Sequence, residues 1–122
     1  MQLSDFIFKT TTNQQRIDRY VEECLQRKVH AFGGLKDAFE DKDVKCMSVC
    51  LKDNQIIGCA AITHHLMYSR YSFGVYVKPD FRRLGIGSKL TRLVRKRCSD
   101  ELFVDYCANE QFFDNFNFVK EV

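Results

Sequence analysis

The sequence predicts a mixed α/β (α+β) fold: a mostly antiparallel central sheet flanked by helices, in the order β-α-α-β-β-β-α-β-α-β. Three observations carry this. Short runs rich in β-branched and aromatic residues recur between turn signals. Two segments show the i, i+3, i+4, i+7 apolar spacing of an amphipathic helix. Two consecutive strand-like runs meet at Asp53-Asn54, a two-residue hairpin turn that makes them antiparallel neighbours. With 122 residues, 45% of them hydrophobic, the chain has material for one core, so residues 1–122 are read as a single domain.

Asp5–Lys9 is a short apolar run and the first expected strand. Thr12 and Gln15 have the spacing of a capping box, in which two side chains satisfy orphan amides at a helix start. Ile17, Tyr20, Val21, Cys24 and Leu25 then form an apolar stripe, and Gly33-Gly34 is expected to end that helix. A shorter helix is expected over Leu35–Glu40. Val44–Leu51 and Gln55–Thr63 form the hairpin. Tyr71–Val77 is the next strand, and Gly74 within it marks a bulge or a close backbone approach. After Pro79 and a loop, Ile86, Leu90, Leu93, Val94 and Arg97 mark the inner face of a second long helix. Glu101–Cys107 is a strand, Asn109–Asn115 a short helix, and Phe118–Val122 a last strand.

Composition excludes several classes. Nineteen Lys and Arg oppose sixteen Asp and Glu, a formal charge of only +3, and eleven Phe with five Tyr are incompatible with a disordered chain. No apolar run approaches the ~18 residues of a membrane helix, and Met1–Asp5 has no basic segment leading into an apolar one, so a cytoplasmic protein is expected. The six cysteines contain no CxxC pair, so no zinc or other metal site is expected. Cys46 and Cys50, four apart in a strand, are separated by ~13 Å, too far for a disulfide. Free buried thiols are expected.

The chemistry concentrates between Val75 and Lys89, which run strand, loop, glycines, helix. Glycines let the backbone turn tightly and bring amides close to a ligand. A helix start offers unpaired N–H groups and partial positive charge, which suits phosphate. Arg82, Arg83 and Lys89 add full charges, so a diphosphate is the natural guest. The segment lacks the GKS or GKT of a Walker loop and the third glycine of the dinucleotide fingerprint. From Lys78 to Arg97 eight cations face Asp80 alone, a net +7, which leaves −4 on the rest of the chain. Such a patch fits a phosphorylated cofactor, a nucleic-acid backbone, or a solvated helix face.

Val77-Lys78-Pro79-Asp80-Phe81-Arg82-Arg83-Leu84-Gly85-Ile86-Gly87 resembles the GNAT superfamily of N-acetyltransferases, whose pattern is Arg/Gln-x-x-Gly-x-Gly/Ala after a strand and a Val-x-Pro segment. Asp53-Asn54-Gln55-Ile56-Ile57-Gly58 is similar to the family's second hairpin, and Phe112–Phe118 to its Phe-Tyr-Glu-Lys-Leu-Gly-Phe segment. The resemblance implies a GNAT-like fold and acetyl-CoA as co-substrate. Val75, Tyr76 and Val77 would pair with the pantetheine arm, and Gly74 would lie near a bulge where strands splay to admit the thioester. Arg82, Arg83, Leu84, Gly85, Ile86, Gly87, Ser88 and Lys89 would hold the pyrophosphate, with Asn109 near the cofactor. The implied reaction is direct acetyl transfer to a primary amine of a small molecule or of a protein lysine or N-terminus.

The chain departs from the family at Phe113, where a tyrosine commonly protonates the leaving thiolate, and at Asn117, where a glycine is usual. Tyr106 is the candidate substitute acid; His64 and His65 are the candidate bases, of which only one can face the cleft because strand residues alternate. Two alternatives remain: an acyl-CoA-binding protein of the same fold with little or no catalysis, and a basic nucleic-acid-binding module. The −4 outside the basic unit suits a cationic acceptor such as a polyamine, a lysine side chain or an aminoglycoside. The chain is short for the family, with little room for a final hairpin after Phe118, and a homodimer could complete the acceptor groove.

Overall fold

A computed structural model describes residues 2–30, 34–41, 43–65, 70–97, 102–104 and 119–120. A 3-10 turn (Leu3–Asp5) leads into β1 (Ile7–Thr11), followed by α1 (Gln14–Arg27), α2 (Gly34–Asp41), β2 (Val44–Lys52) and β3 (Gln55–His65). Then come β4 (Arg70–Val77), a second 3-10 turn (Pro79–Phe81), α3 (Ile86–Arg95), β5 (Leu102–Val104) and β6 (Val119–Lys120). The strands form one sheet in the order β1-β2-β3-β4-β5-β6. β1 through β4 are antiparallel neighbours, whereas β4–β5 and β5–β6 pair in parallel. This is the mixed, mostly antiparallel sheet that the element order predicts. The expected helix over Asn109–Asn115 lies outside the described residues, as do Cys98 and Cys107. No described helix is long and apolar enough to cross a membrane.

Several local expectations are corrected. The first strand starts two residues later than expected, because Leu3–Asp5 turns and closes with the Gln2 N–H donating to Asp5 Oδ2 at 2.8 Å. The cap of α1 is Asn13, not Thr12: Asn13 Oδ1 accepts from the Arg16 N–H at 3.1 Å. The helix ends before Gly33. Lys28 adopts a left-handed conformation (φ 57°), and the Val29 N–H donates to the Cys24 carbonyl at 2.8 Å, so the chain has already reversed. Arg97 lies exposed beyond the end of α3, whose buried stripe is Ile86, Leu90, Thr91 and Val94. The Asp53-Asn54 turn is as expected, with φ values of 53° and 64° that match a two-residue hairpin loop.

The sheet separates two apolar layers. Phe6, Cys46, Cys50, Ala60, Ile62, Phe73 and Val77 meet Ile86, Leu90 and Val94 of α3 on one face. Met47, Val49, Ile56, Cys59 and Ala61 meet Ile17, Val21 and Cys24 of α1 and Phe39 of α2 on the other. Strand alternation assigns successive residues to these faces, with two interruptions in the β2–β3 ladder. Val44 pairs with Thr63 but Cys46 with Ile62, so Lys45 is an extra residue on β2, and Leu51 pairs with Ile56 but Cys50 with Gly58, so Ile57 is an extra residue on β3. Ser48 Oγ donates to the Leu90 carbonyl at 2.9 Å, a buried tie between β2 and α3. Cys24, Cys46, Cys50 and Cys59 are buried free thiols. Burial pushes the Cys50 thiol up to about 12, despite the opposing charge of Lys89. A bond to Cys59 and burial push the Cys24 thiol upward as well, so neither is poised as a nucleophile.

In the ladder with β3, Gly74 is not at a bulge. The β3–β4 register runs unbroken from Gly58↔Val77 to His65↔Arg70. Gly74 is instead the close approach that its position also allowed. A Cβ there would lie 3.0 Å from Leu35 Cδ1 and 3.3 Å from Leu35 Cβ, so a glycine lets α2 seat on β4. Gly74→Ala should therefore destabilise the protein by ~1 kcal/mol, read from chemical denaturation. In a Leu35→Ala background, which removes the 3.0 Å contact with Cδ1 but keeps Cβ, the same substitution should cost less; equal costs in both backgrounds would break the assigned contact.

Candidate functional site

β4 carries the site's geometry because its two edges are unequal. The Lys78 N–H donates to the Ile57 carbonyl at 2.9 Å, just beyond the Gly58↔Val77 pair. In an antiparallel ladder this fixes the alternation. The main chains of Tyr76, Gly74 and Ser72 face β3, and those of Val77, Val75 and Phe73 face the opposite edge. Among the described residues, β5 pairs with that edge at Tyr71↔Leu102 and Ser72↔Phe103. Nearer the C-terminal end of β4 the same edge carries the N–H and carbonyl of Val75 and the N–H of Val77. A strand edge of this kind accepts an extended ligand as it would another strand.

At the open end of β4 the chain turns through 78–84 into α3. Two left-handed residues shape that turn, Arg83 (φ 67°) and Gly85 (φ 86°). A non-glycine residue in this region costs about 1 kcal/mol, and such strain gathers at functional loops. Gly85 is the N-cap of α3 and supplies no side chain to its amides. The first amide bound within the helix is that of Lys89, which donates to the Gly85 carbonyl at 3.1 Å. The N–H groups of Ile86, Gly87 and Ser88 therefore point out of the helix start, where the dipole is positive. Thr91 Oγ1 donates back to the Gly87 carbonyl at 2.7 Å, steadying this first turn.

The basic side chains divide differently from the sequence expectation. Arg82 Nε donates to the Val77 carbonyl at 2.7 Å, and its guanidinium lies 5.3 Å from the Tyr76 ring centroid. Arg82 thus fastens the loop to the end of β4. The Lys89 ammonium sits 4.3 Å from the Phe8 ring centroid, toward β1. Arg83 is exposed, Leu84 and Ser88 are half-buried, and Ile86 is part of the core. Tyr76 turns its main chain to β3 and packs its ring among the residues under α1 and α2.

Of the catalytic candidates, His64 lies opposite Tyr71, with ring centroids 4.8 Å apart. The backbone of His65 pairs with Arg70. Tyr106 and Asn109, with Phe113, lie outside the described residues. Sequence reasoning missed Ser72. It is buried on β4, in register with Phe103 of β5, and its Oγ has no hydrogen-bond partner among the described residues. His30 Nδ1 is the other unpartnered buried side-chain atom among the described residues. Nothing in the local pattern distinguishes this serine from any strand serine, so only the fold could single it out.

Residues 43–120 match the family model for the acetyltransferase (GNAT) domain. A search of curated proteins found no match. Among solved structures, the chain is similar to a candidate acetyltransferase from Pyrococcus horikoshii (TM-score 0.63, 18% identity), which it covers over 99% of its own length. It spans about half of that protein, 46%. It is also similar to a GNAT-family acetyltransferase from Streptococcus pneumoniae TIGR4 (TM-score 0.61, 12% identity; 93% of this chain, 87% of that one). A third similar structure is a sequence-assigned acetyltransferase of Clostridium acetobutylicum solved with acetyl-CoA (TM-score 0.56, 14% identity; 95% and 91%). At these identities the likeness is one of fold.

The Arg82 fastening gives a test that needs no ligand. Arg82→Met should raise amide hydrogen exchange across residues 78–84 about fivefold, the effect of losing ~1 kcal/mol of hydrogen bonding. Unchanged exchange would mean the loop is held by other contacts.

Proposed function

Because the chain belongs to the GNAT acetyltransferase family, we propose that it binds acetyl-CoA and transfers the acetyl group directly to a primary amine. The observation that carries this reading is the continuity of the β4 edge away from β3, at Val75 and Val77, with an uncapped helix start. One arm of that surface suits an extended amide-bearing chain, the other a diphosphate. The amides of Ile86, Gly87 and Ser88 hold the pyrophosphate, with Gly85 supplying the turn and Leu84 the apolar wall. Arg83 adds exposed positive charge, while Arg82 fixes the loop. Lys89 offers charge only if it leaves Phe8. Val75 and Val77 pair with the pantetheine arm, and Tyr76 supports them from the β3 side. Asn109 stands near the cofactor by resemblance to the family.

Three chemical tasks follow. The thioester carbonyl must be stabilised as negative charge grows on its oxygen, and the Val75 N–H, on the edge of β4 away from β3, can donate to it. The amine must be neutral to attack, yet an amine of pKa ~10.4 is so in only about one molecule per few thousand at pH 7. A histidine at the end of β3, His65 or its neighbour His64, takes the proton. Nitrogen then bonds to the carbonyl carbon and the carbon–sulfur bond breaks. The departing thiolate receives a proton from Tyr106, standing in for the tyrosine that Phe113 replaces. A thiolate, with parent pKa ~8.5, leaves readily even if that donor is weak. The net charge of −4 outside the basic unit favours a cationic acceptor.

Calorimetry with acetyl-CoA, joined to a thiol-release assay over a panel of polyamines, lysine peptides and aminoglycosides, tests the reading. Saturable binding and thiol release with at least one amine are expected. Binding without release would leave an acyl-CoA-binding protein, the reading that Phe113 favours. Gly87→Glu should abolish binding, because a carboxylate at the helix start occupies and repels the phosphate position; retained affinity would place the cofactor elsewhere.

A further inference from the structure

We propose that the exposed face of α3 is a docking surface for the phosphodiester backbone of a nucleic acid, held by Arg92, Lys96 and Arg97 without reading base sequence. This goes beyond the acetyl-transfer reading and does not depend on it. Buried Ile86, Leu90, Thr91 and Val94 fix the inner face of the helix, and Arg92 lies opposite them. The Lys96 N–H donates to the Arg92 carbonyl at 3.1 Å, so the helical turn continues to Lys96. That stacks Lys96 on Arg92 one turn apart, an axial rise of ~6 Å. Arg97 follows, its N–H donating to the Val94 carbonyl at 3.0 Å. All three residues are exposed.

A solvated helix face usually interleaves charges of both signs, and the other two helices do so. On α1, Glu23 pairs with Arg27 at 3.2 Å; on α2, Lys36 pairs with Glu40 at 2.7 Å. α3 carries no carboxylate, only Lys89, Arg92 and Arg95. The helix dipole favours a cation in the last turn, as Arg27 shows on α1. A cluster goes further than the dipole needs, because Arg92 and Lys96 stand at i, i+4, where like charges repel. Two neighbouring cations are already engaged: Lys89 lies over the Phe8 ring, and Arg82 bonds the Val77 carbonyl. The ridge also lacks an apolar anchor. Among the described residues, the exposed large hydrophobic side chain is Ile7, on β1. A protein partner needs an apolar or aromatic centre to its contact, and a membrane surface needs side chains to insert. A phosphodiester chain needs neither. A nucleic-acid duplex presents one phosphate per ~3.4 Å of axis on each strand, so a rise of ~6 Å spans two of them. The amides of Ile86, Gly87 and Ser88 lie at the opposite end of α3, so this surface is distinct from the helix start.

Fluorescence anisotropy of the native chain with short labelled single strands of mixed sequence, one of RNA and one of DNA, tests the proposal. Saturable binding to at least one strand is expected, and the comparison tells which sugar is accepted. The logarithm of the association constant should fall with that of salt with a slope of about −2, from three phosphates at about 0.7 each. The triple variant Arg92→Gln, Lys96→Gln, Arg97→Gln should bind about tenfold more weakly with a slope near zero, and keep its acetyl-CoA affinity. Arg92→Lys with Arg97→Lys retains the charges and should retain the slope. Lys96→Gln alone should lower the slope by about 0.7, a reading that stands even where the triple variant does not fold. No binding of either strand at low salt would overturn the proposal, as would native-like affinity and slope in the triple variant. Tighter binding of polyglutamate than of either strand would also overturn it, in favour of an acidic protein partner.

Discussion

The pairing of β3 with β4 governs the rest of the molecule. It occupies one edge of β4 from Val77 to Arg70 without a break, and its phase is fixed where the Lys78 N–H reaches the Ile57 carbonyl. A shift of one residue would turn the main chain of Val75 and Val77 toward β3 and present Tyr76 and Gly74 on the opposite edge instead. It would also invert the side chains, moving Val77 and Phe73 away from α3. Ile57, the extra residue on β3, adjoins the same point, so the bulge and the phase are set together. The Arg82 bond to the Val77 carbonyl then carries this alignment across the loop to the start of α3.

Small residues let the helices close on both faces of this strand pair. Gly58, in β3, would place a Cβ 3.3 Å from Leu90 Cδ1 and 3.3 Å from the Tyr76 carbonyl, so its absence admits α3. Gly74, in β4, admits α2 through Leu35. The buried Ser48 bond to the Leu90 carbonyl fixes α3 against β2, and with it the height of the helix start relative to the sheet. An uncapped helix terminus is a local weakness. Here the surrounding core holds it in place, so that its free amides form a standing anion site rather than a fraying end.

What the sequence made legible was local. The glycines at 85 and 87, the Asp53-Asn54 turn and the apolar stripes of both long helices act over a few residues, and their physics is complete within that span. The family likeness from residue 77 to 87 adds the fold. What could not be read depends on partners distant in the chain. Asn13 displaces Thr12 as the cap because Thr11 Oγ1 accepts from the Asn13 N–H at 3.0 Å and fixes the entry. Lys28 ends α1 ahead of Gly33 because Val29 is drawn into the core, where its carbonyl accepts from Cys59 Sγ at 3.4 Å. Gly74 needed Leu35, and Arg82 needed Val77, before either had a role. Ser72 is an ordinary strand serine until its surroundings leave its hydroxyl unpaired.

The most direct measurement is a backbone amide NMR titration of the native chain with CoA. The account predicts that the largest shifts fall on Ile86, Gly87 and Ser88 and on Val75 and Val77, while Gly74 and Tyr76, bonded to β3, move little. Shifts centred on the basic surface of α3 beyond Arg92, or an unperturbed helix start, would contradict it.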